Sequence, residues 1–227
     1  MKITRLSSPN FNDRQFPLDM LVLHYTGMET GDAAIERLCD KEAGVSAHYV
    51  VRETGEILQL VDEDKRAWHA GVSSWQGDED LNSRSIGIEI VNGGHDWPAS
   101  DGSLPDYPDA QIEAVIALSK AIIARWNIPA DRVVGHSDIA PARKADPGEH
   151  FPWQRLAEAG IGLWPSAIGA EVQPSERSLR SIGYDIGDLP AAITAFQRRW
   201  MPDRIDGADD EDMRAMAAAV VAAYSAV

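Results

Sequence analysis

The six histidines, His24, His48, His69, His95, His136 and His150, are the residues of this chain best suited to metal or proton chemistry. Two stand out by position. His24 closes the apolar run Met20-Leu21-Val22-Leu23, where a buried imidazole is costly without a partner. His136 closes Val133-Val134-Gly135, an equivalent exit from strand to loop. Asp146 follows His136 by ten residues, across a loop able to return its carboxylate towards the imidazole. Two imidazoles and one carboxylate are a standard set for a catalytic zinc ion, leaving a fourth position for water. Spacing alone does not bring residues so distant in sequence together, and a histidine taken at random is more often an ordinary core or surface residue.

The surrounding elements explain how such residues would be held. Asp19 to Tyr25 reads as a buried strand ending in the turn Thr26-Gly27, followed by a helix from Asp32 to Asp40. Ala47 to Arg52 and Glu56 to Val61 flank Glu53-Thr54-Gly55 as a hairpin. Ser85 to Val91 alternates apolar with small or charged residues and is a further strand, on which the face occupied by Glu89 stays open. A long helix begins at Pro108-Asp109, with Asp109 as its N-cap, and Ile112, Val115, Ile116, Ile122, Ile123 and Trp126 form its apolar stripe. Arg132 to His136 is a strand leading into a loop, and Pro152 to Ala159 a short helix. Strands mixed with crossover helices predict an α/β fold in residues 1–164, with a central mixed sheet flanked by helices.

From Ile161 to Pro174 the composition turns to Gly, Pro, Ala and Ser, as in a linker. Residues 165–227 then form a second unit, with helices over Ser178 to Gly183, Pro190 to Trp200 and Asp209 to Tyr224. Their stripes, Ile193, Phe196, Trp200 and Met213, Met216, Val220, Tyr224, read as the core of a small bundle.

Bulk properties exclude several functions. A formal charge of −15 opposes nucleic acid and anionic lipid as partners. No stretch reaches the ~20 apolar residues that span a membrane. The single cysteine, Cys39, excludes an intrachain disulfide and a cysteine-rich zinc cluster, and reads as a small buried core thiol. The first ten residues lack the apolar region of a secretory signal, so a cytoplasmic location is expected if Met1 is the natural start. A chain whose leader had been removed would look the same, which keeps a periplasmic location as the alternative.

Five blocks occur in order: Leu23-His24-Tyr25-Thr26, Ser46-Ala47-His48-Tyr49, Arg66-Ala67-Trp68-His69-Ala70-Gly71, Ser85-Ile86-Gly87-Ile88-Glu89, and His136 to Gly148. Together they resemble the type 2 N-acetylmuramoyl-L-alanine amidases, relatives of phage T7-type lysozyme amidases and animal peptidoglycan recognition proteins. The resemblance covers roughly residues 7–160. It implies Zn2+ held by His24, His136 and Asp146, with aspartate where phage relatives carry cysteine. It further implies Glu89 as general base and Lys144 as the group that steadies the oxyanion, roles in keeping with the chemistry of carboxylates and ammonium groups near a metal. Without the resemblance, Lys144 reads as a solvated loop residue.

Arg52, Trp68 and His69 resemble residues that line the substrate groove in this family, although Trp68 could equally be core. His48 is expected to anchor the sheet beneath the metal or to touch the edge of the site, and His95 and His150 to be surface loop residues. Residues 173–227 weakly resemble a peptidoglycan-binding three-helix module through Ala195-Phe196-Gln197-Arg198-Arg199 and Ile205-Asp206-Gly207, a structural cap being the competing reading. The implied reaction is hydrolysis of the amide between N-acetylmuramic acid and L-alanine, on soluble 1,6-anhydromuropeptides in wall recycling. The alternatives are an envelope amidase on intact peptidoglycan and a non-catalytic recognition protein, the latter disfavoured by the complete set of His24, His136, Asp146 and Glu89. Oligomeric state is not legible.

Overall fold

The computed structural model describes residues 1–165 and 171–226. Its strands are β1 (Ile3–Arg5), β2 (Phe11–Asp13), β3 (Met20–Tyr25), β4 (Tyr49–Val51), β5 (Ile57–Gln59), β6 (Lys65–Ala67), β7 (Ser85–Ile90) and β8 (Val133–Gly135). Its helices are α1 (Gly31–Cys39), α2 (Leu81–Arg84), α3 (Asp109–Trp126), α4 (His136–Ile139), α5 (Trp153–Glu158), α6 (Ser175–Ile182), α7 (Leu189–Trp200) and α8 (Glu211–Tyr224). Six strands form one mixed sheet in the order β1-β5-β4-β7-β3-β8, and β2 pairs with β6 in a separate ribbon. The pairs β4–β7, β7–β3 and β3–β8 are parallel, whereas the β4–β5 hairpin is antiparallel. This is the expected α/β architecture.

Strand β3, between β7 and the edge strand β8, is apolar on both faces, and its alternate residues go to opposite layers. Leu21 and Leu23, with Ile86, Ile88 and Ile90 of β7, pack under Ile112, Val115 and Ile122 of α3. Met20 and Val22, with Val134 of β8, face the other way, into a cluster with Leu179, Phe196, Trp200, Met213 and Val220. The three C-terminal helices therefore cover the sheet directly. Their apolar stripes pack against β3 and β8 as well as against one another. Further along the same face, Leu38 of α1 packs on Val50, Leu58 and Val91.

Several expectations need adjustment. Asp109 is the first residue of α3 rather than its cap, and its carboxylate pairs with Arg155 at 2.6 Å instead. Cys39 is half-buried at the edge of the α1 cluster, not a core thiol. The first C-terminal helix starts at Ser175, three residues before the position expected. Residues 166–170, the middle of the expected linker, lie outside the described residues. Among the described residues, no helix is long and apolar enough to cross a membrane.

Candidate active site

The site is built where parallel strands end. His24 is the fifth residue of the six-residue β3, and β8 delivers His136 at the start of α4. Strands β3 and β8 are neighbours with Leu23 opposite Gly135, so the two imidazoles emerge side by side. The segment after His136, helix α4 and the loop behind it, returns as the sequence allowed: the Ser137 amide donates to the Asp146 carbonyl at 2.8 Å, closing it. One oxygen of Asp146, Oδ2, lies 2.9 Å from His24 Nδ1 and 3.0 Å from His136 Nδ1, and the two Nδ1 atoms are 2.9 Å apart. All three side chains are buried.

This donor set fits a metal ion. Tetrahedral donors at zinc bond lengths lie about 3.3 Å apart, within a few tenths of an ångström of the spacing here. The hydrogen-bond network also sets the tautomers. His136 Nε2 faces the Ala70 carbonyl at 3.1 Å, which can only accept, so the proton sits on Nε2 and the Nδ1 lone pair faces the cluster.

For His24 the same result follows through a relay. Ser85 Oγ donates its single proton to the Leu81 carbonyl at 2.6 Å, so it accepts from His69 Nε2 at 3.2 Å. His69 Nδ1 is then the acceptor for His24 Nε2–H at 3.0 Å, leaving His24 Nδ1 free to ligate. Burial depresses the His24 pKa to about 4, reinforced by the neighbouring His136, so this imidazole is neutral at physiological pH. Burial pushes the Asp146 carboxyl up, but its contacts with His136 and His24 outweigh this and hold it well below the ordinary carboxylate range.

Glu89 is the register partner of His24 across β3 and β7. On β7 the residues facing the site are Ser85, Gly87 and Glu89, and the absence of a side chain at Gly87 has a steric reason. A Cβ on Gly87 would lie 2.5 Å from the His69 ring, so the imidazole fits only against bare backbone. Glu89 Oε2 is buried without a hydrogen-bond partner. Burial raises its carboxyl well above the ordinary range, the Asp146 charge adds to this, and Lys144 opposes it. A cation in the triad would act as Lys144 does.

A cleft of about 410 Å3 opens over these groups, a size suited to a small ligand. Glu89, His136, Lys144 and Asp146 line it, together with Trp68, Tyr25, Ala34 and Arg37. Lys144 therefore borders the site. Trp68 is half-buried on the wall, with its Nε1–H donated to Asn12 at 2.8 Å.

His69 also borders the cleft, but both of its ring nitrogens are taken by His24 and Ser85. It stands behind a ligand rather than offering a hydrogen bond to substrate. Arg52 is not brought to the cleft: its guanidinium pairs with Asp32 at 2.7 Å and Glu56 at 3.3 Å. His48 is fully buried and anchors the sheet, accepting at Nδ1 from the Gly87 amide at 3.0 Å, while Nε2 lies 3.0 Å from the Lys65 carbonyl.

The structure also corrects one surface reading and adds residues. His95 is an exposed loop residue as expected, and it also lines the cleft and bridges Tyr25, 2.9 Å from its hydroxyl, to Glu149 at 3.2 Å. His150 is half-buried and stacks on Tyr107 at 4.8 Å. Tyr25 was detectable as the neighbour of His24, but nothing in the loop sequence marks His95. Arg143 also lines the cleft and donates to the carbonyls of Ala70 and Val72 at 3.0 and 2.7 Å.

The chain resembles known proteins in sequence and in fold. Residues 14–149 match the family profile described as N-acetylmuramoyl-L-alanine amidase. The chain is 39% identical to the N-acetylmuramoyl-L-alanine amidase AmiD of Escherichia coli K12, over 91% of this chain and 83% of that protein. It is also 39% identical to the 1,6-anhydro-N-acetylmuramyl-L-alanine amidase AmpD of the same organism, over 67% of this chain and 87% of that one.

Among solved structures, the E. coli AmiD complex with anhydro-N-acetylmuramic acid-L-Ala-D-gamma-Glu-L-Lys aligns with a TM-score of 0.78 and 37% identity, covering 93% of this chain and 91% of that one. AmpDh3 from Pseudomonas aeruginosa, in complex with anhydromuramic pentapeptide, aligns with a TM-score of 0.75 and 33% identity, covering 93% of each. By profile, identity and coverage together, the chain belongs to the N-acetylmuramoyl-L-alanine amidase family.

Proposed function

We propose that the protein is a zinc-dependent amidase that hydrolyses the bond between N-acetylmuramic acid, including its 1,6-anhydro form, and the L-alanine of a stem peptide. The observation that carries this reading is the buried convergence of His24 Nδ1, His136 Nδ1 and Asp146 Oδ2 beneath the cleft. His24, His136 and Asp146 would hold zinc there, and the ion would supply Lewis-acid charge for an amide carbonyl and for the acidity of water.

The remaining chemistry belongs to this chain's own side chains. Glu89 takes a proton from the attacking water and returns it to the departing alanine nitrogen. Its unpartnered Oε2, in a buried setting that raises its basicity, supports that assignment. Lys144 directs positive charge towards the oxyanion that forms at the carbonyl. Trp68 gives a flat apolar wall suited to a sugar face. The wider readings of Arg52 and His69 as substrate contacts are not retained, because their polar atoms are engaged elsewhere.

Relatives named for anhydromuropeptides support a soluble muropeptide substrate, with hydrolysis in wall recycling. Residues 1–164 hold every group assigned a chemical role; residues 165–227 are proposed to support the unit, with peptidoglycan binding as their further role. The test is incubation with anhydro-N-acetylmuramic acid-L-Ala-D-γ-Glu-L-Lys and, separately, with intact sacculi, followed by mass spectrometry. Release of the free tripeptide from the soluble compound supports the reading. Release from sacculi alone would move the activity to the polymer, and release from neither would refute it.

A further inference from the structure

The segment Gly135-His136-Ser137-Asp138 supplies one metal-site ligand, and its Asp138 is held by partners that come from the C-terminal helical region. Asp138 is completely buried. Its Oδ2 accepts from the Gly135 amide at 2.8 Å and from Arg199 Nη1 at 2.6 Å, and its Oδ1 accepts from the Tyr184 hydroxyl at 2.6 Å. Arg199, 2% exposed on α7, also donates from Nη2 to the Val133 carbonyl at 3.1 Å. One guanidinium thus grips the chain at positions 133 and 138, on both sides of His136. It also lies over two rings, 4.1 Å from the centroid of Trp153 and 4.5 Å from that of Trp200.

We propose that Arg199 and Tyr184, from the C-terminal helices, are positioning residues for the metal ligand His136. Helix α4 has four residues, too few to hold its own shape. The direction of the His136 ring therefore depends on what clamps the backbone around it. The clamp reaches the third ligand as well, because the adjacent Ser137 amide donates to the Asp146 carbonyl at 2.8 Å. A charge pair of this kind adds little as an apolar replacement for core packing, but its fixed fork geometry determines where the two chain segments sit. The C-terminal helices are on this account part of the metal site's support, which neither a detachable glycan-binding module nor a passive cap would be.

The inference rests on the zinc reading of the triad, and the experiment separates the two. Zinc dissociation constants are measured by chelator competition for the full chain, Tyr184→Phe, Arg199→Lys and the core control Phe196→Leu. The visible spectra of the cobalt(II)-loaded proteins report ligand geometry. Arg199→Lys keeps the charge but cannot span Val133 and Asp138, and should weaken zinc binding about tenfold with an altered cobalt spectrum. Tyr184→Phe should weaken it by a smaller factor, and Phe196→Leu should lower Tm while leaving zinc affinity and spectrum unchanged. If Arg199→Lys does not fold, Tyr184→Phe decides alone. Folded variants that bind zinc as the unaltered protein does would overturn the inference. Failure of the unaltered protein to bind zinc would instead refute the metal reading on which it rests.

Discussion

His24 and Glu89 are direct register partners on the adjacent parallel strands β3 and β7, so the sheet itself holds a metal-ligand candidate and a proton-carrier candidate one strand apart. Their side chains point to the same face, opposite α3, because the residues before them, Leu23 and Ile88, both enter the α3 core. Glu89 contacts neither Asp146 nor the imidazoles by hydrogen bond. Glu89→Gln should therefore retain zinc and lose at least a hundredfold in kcat, the usual scale for a general base. Zinc content and turnover measured on one preparation check this; unchanged kcat would remove Glu89 from the mechanism.

The same carboxyl makes a pH-dependent contribution to stability. Its folded pKa is raised well above 4.5, so the native state holds a proton that the unfolded chain releases first. The favourable contribution is complete below 4.5 and is lost as pH rises through the folded value. At neutral pH, Glu89→Gln should raise the Tm of the chelated protein, by about 2–4 °C if the gain is near 1 kcal/mol. The difference from the unaltered protein should close as pH falls towards 4.5, and thermal melts across that range would show it.

The Ser85–His69–His24 relay predicts a metal-affinity effect without any ligand being touched. His69→Phe removes the acceptor for His24 Nε2–H and should weaken zinc binding by about 10–100-fold, with Ser85→Ala acting in the same direction but less. Chelator competition is the measurement. Equal affinities would mean that His24 does not need the relay to hold its tautomer.

Gly87 tests the packing beneath that relay. A methyl group here meets the His69 ring at 2.5 Å, so Gly87→Ala should cost about 1–3 kcal/mol. In a His69→Ala background the clash disappears, and the cost of Gly87→Ala should shrink accordingly. Denaturant unfolding of the four proteins gives the coupling directly.

Much of this arrangement was legible in the sequence because it follows from chain-local patterns. The apolar run to His24, the alternation of Ser85 to Val91 and the long α3 stripe each announced their element, and the ordered blocks around them identified the triad. Partners that arrive from distant segments were not legible. No periodicity reveals that Arg52 is spent on Asp32 and Glu56, or that His69 turns both nitrogens inward. Nor does it show that His95, in a loop, returns to Tyr25 at the cleft. The C-terminal stripes did read as buried faces. That the sheet shares in burying them, through Met20, Val22 and Val134, depends on docking that a one-dimensional pattern does not encode.

The central claim, that His24, His136 and Asp146 hold the zinc on which hydrolysis depends, is tested most directly by following metal content and tripeptide release in one titration. Protein stripped with a chelator should hold no zinc and release no tripeptide, and added zinc should restore activity in proportion to occupancy, reaching a plateau at one ion per chain. Full activity in protein shown to contain no zinc would contradict the account.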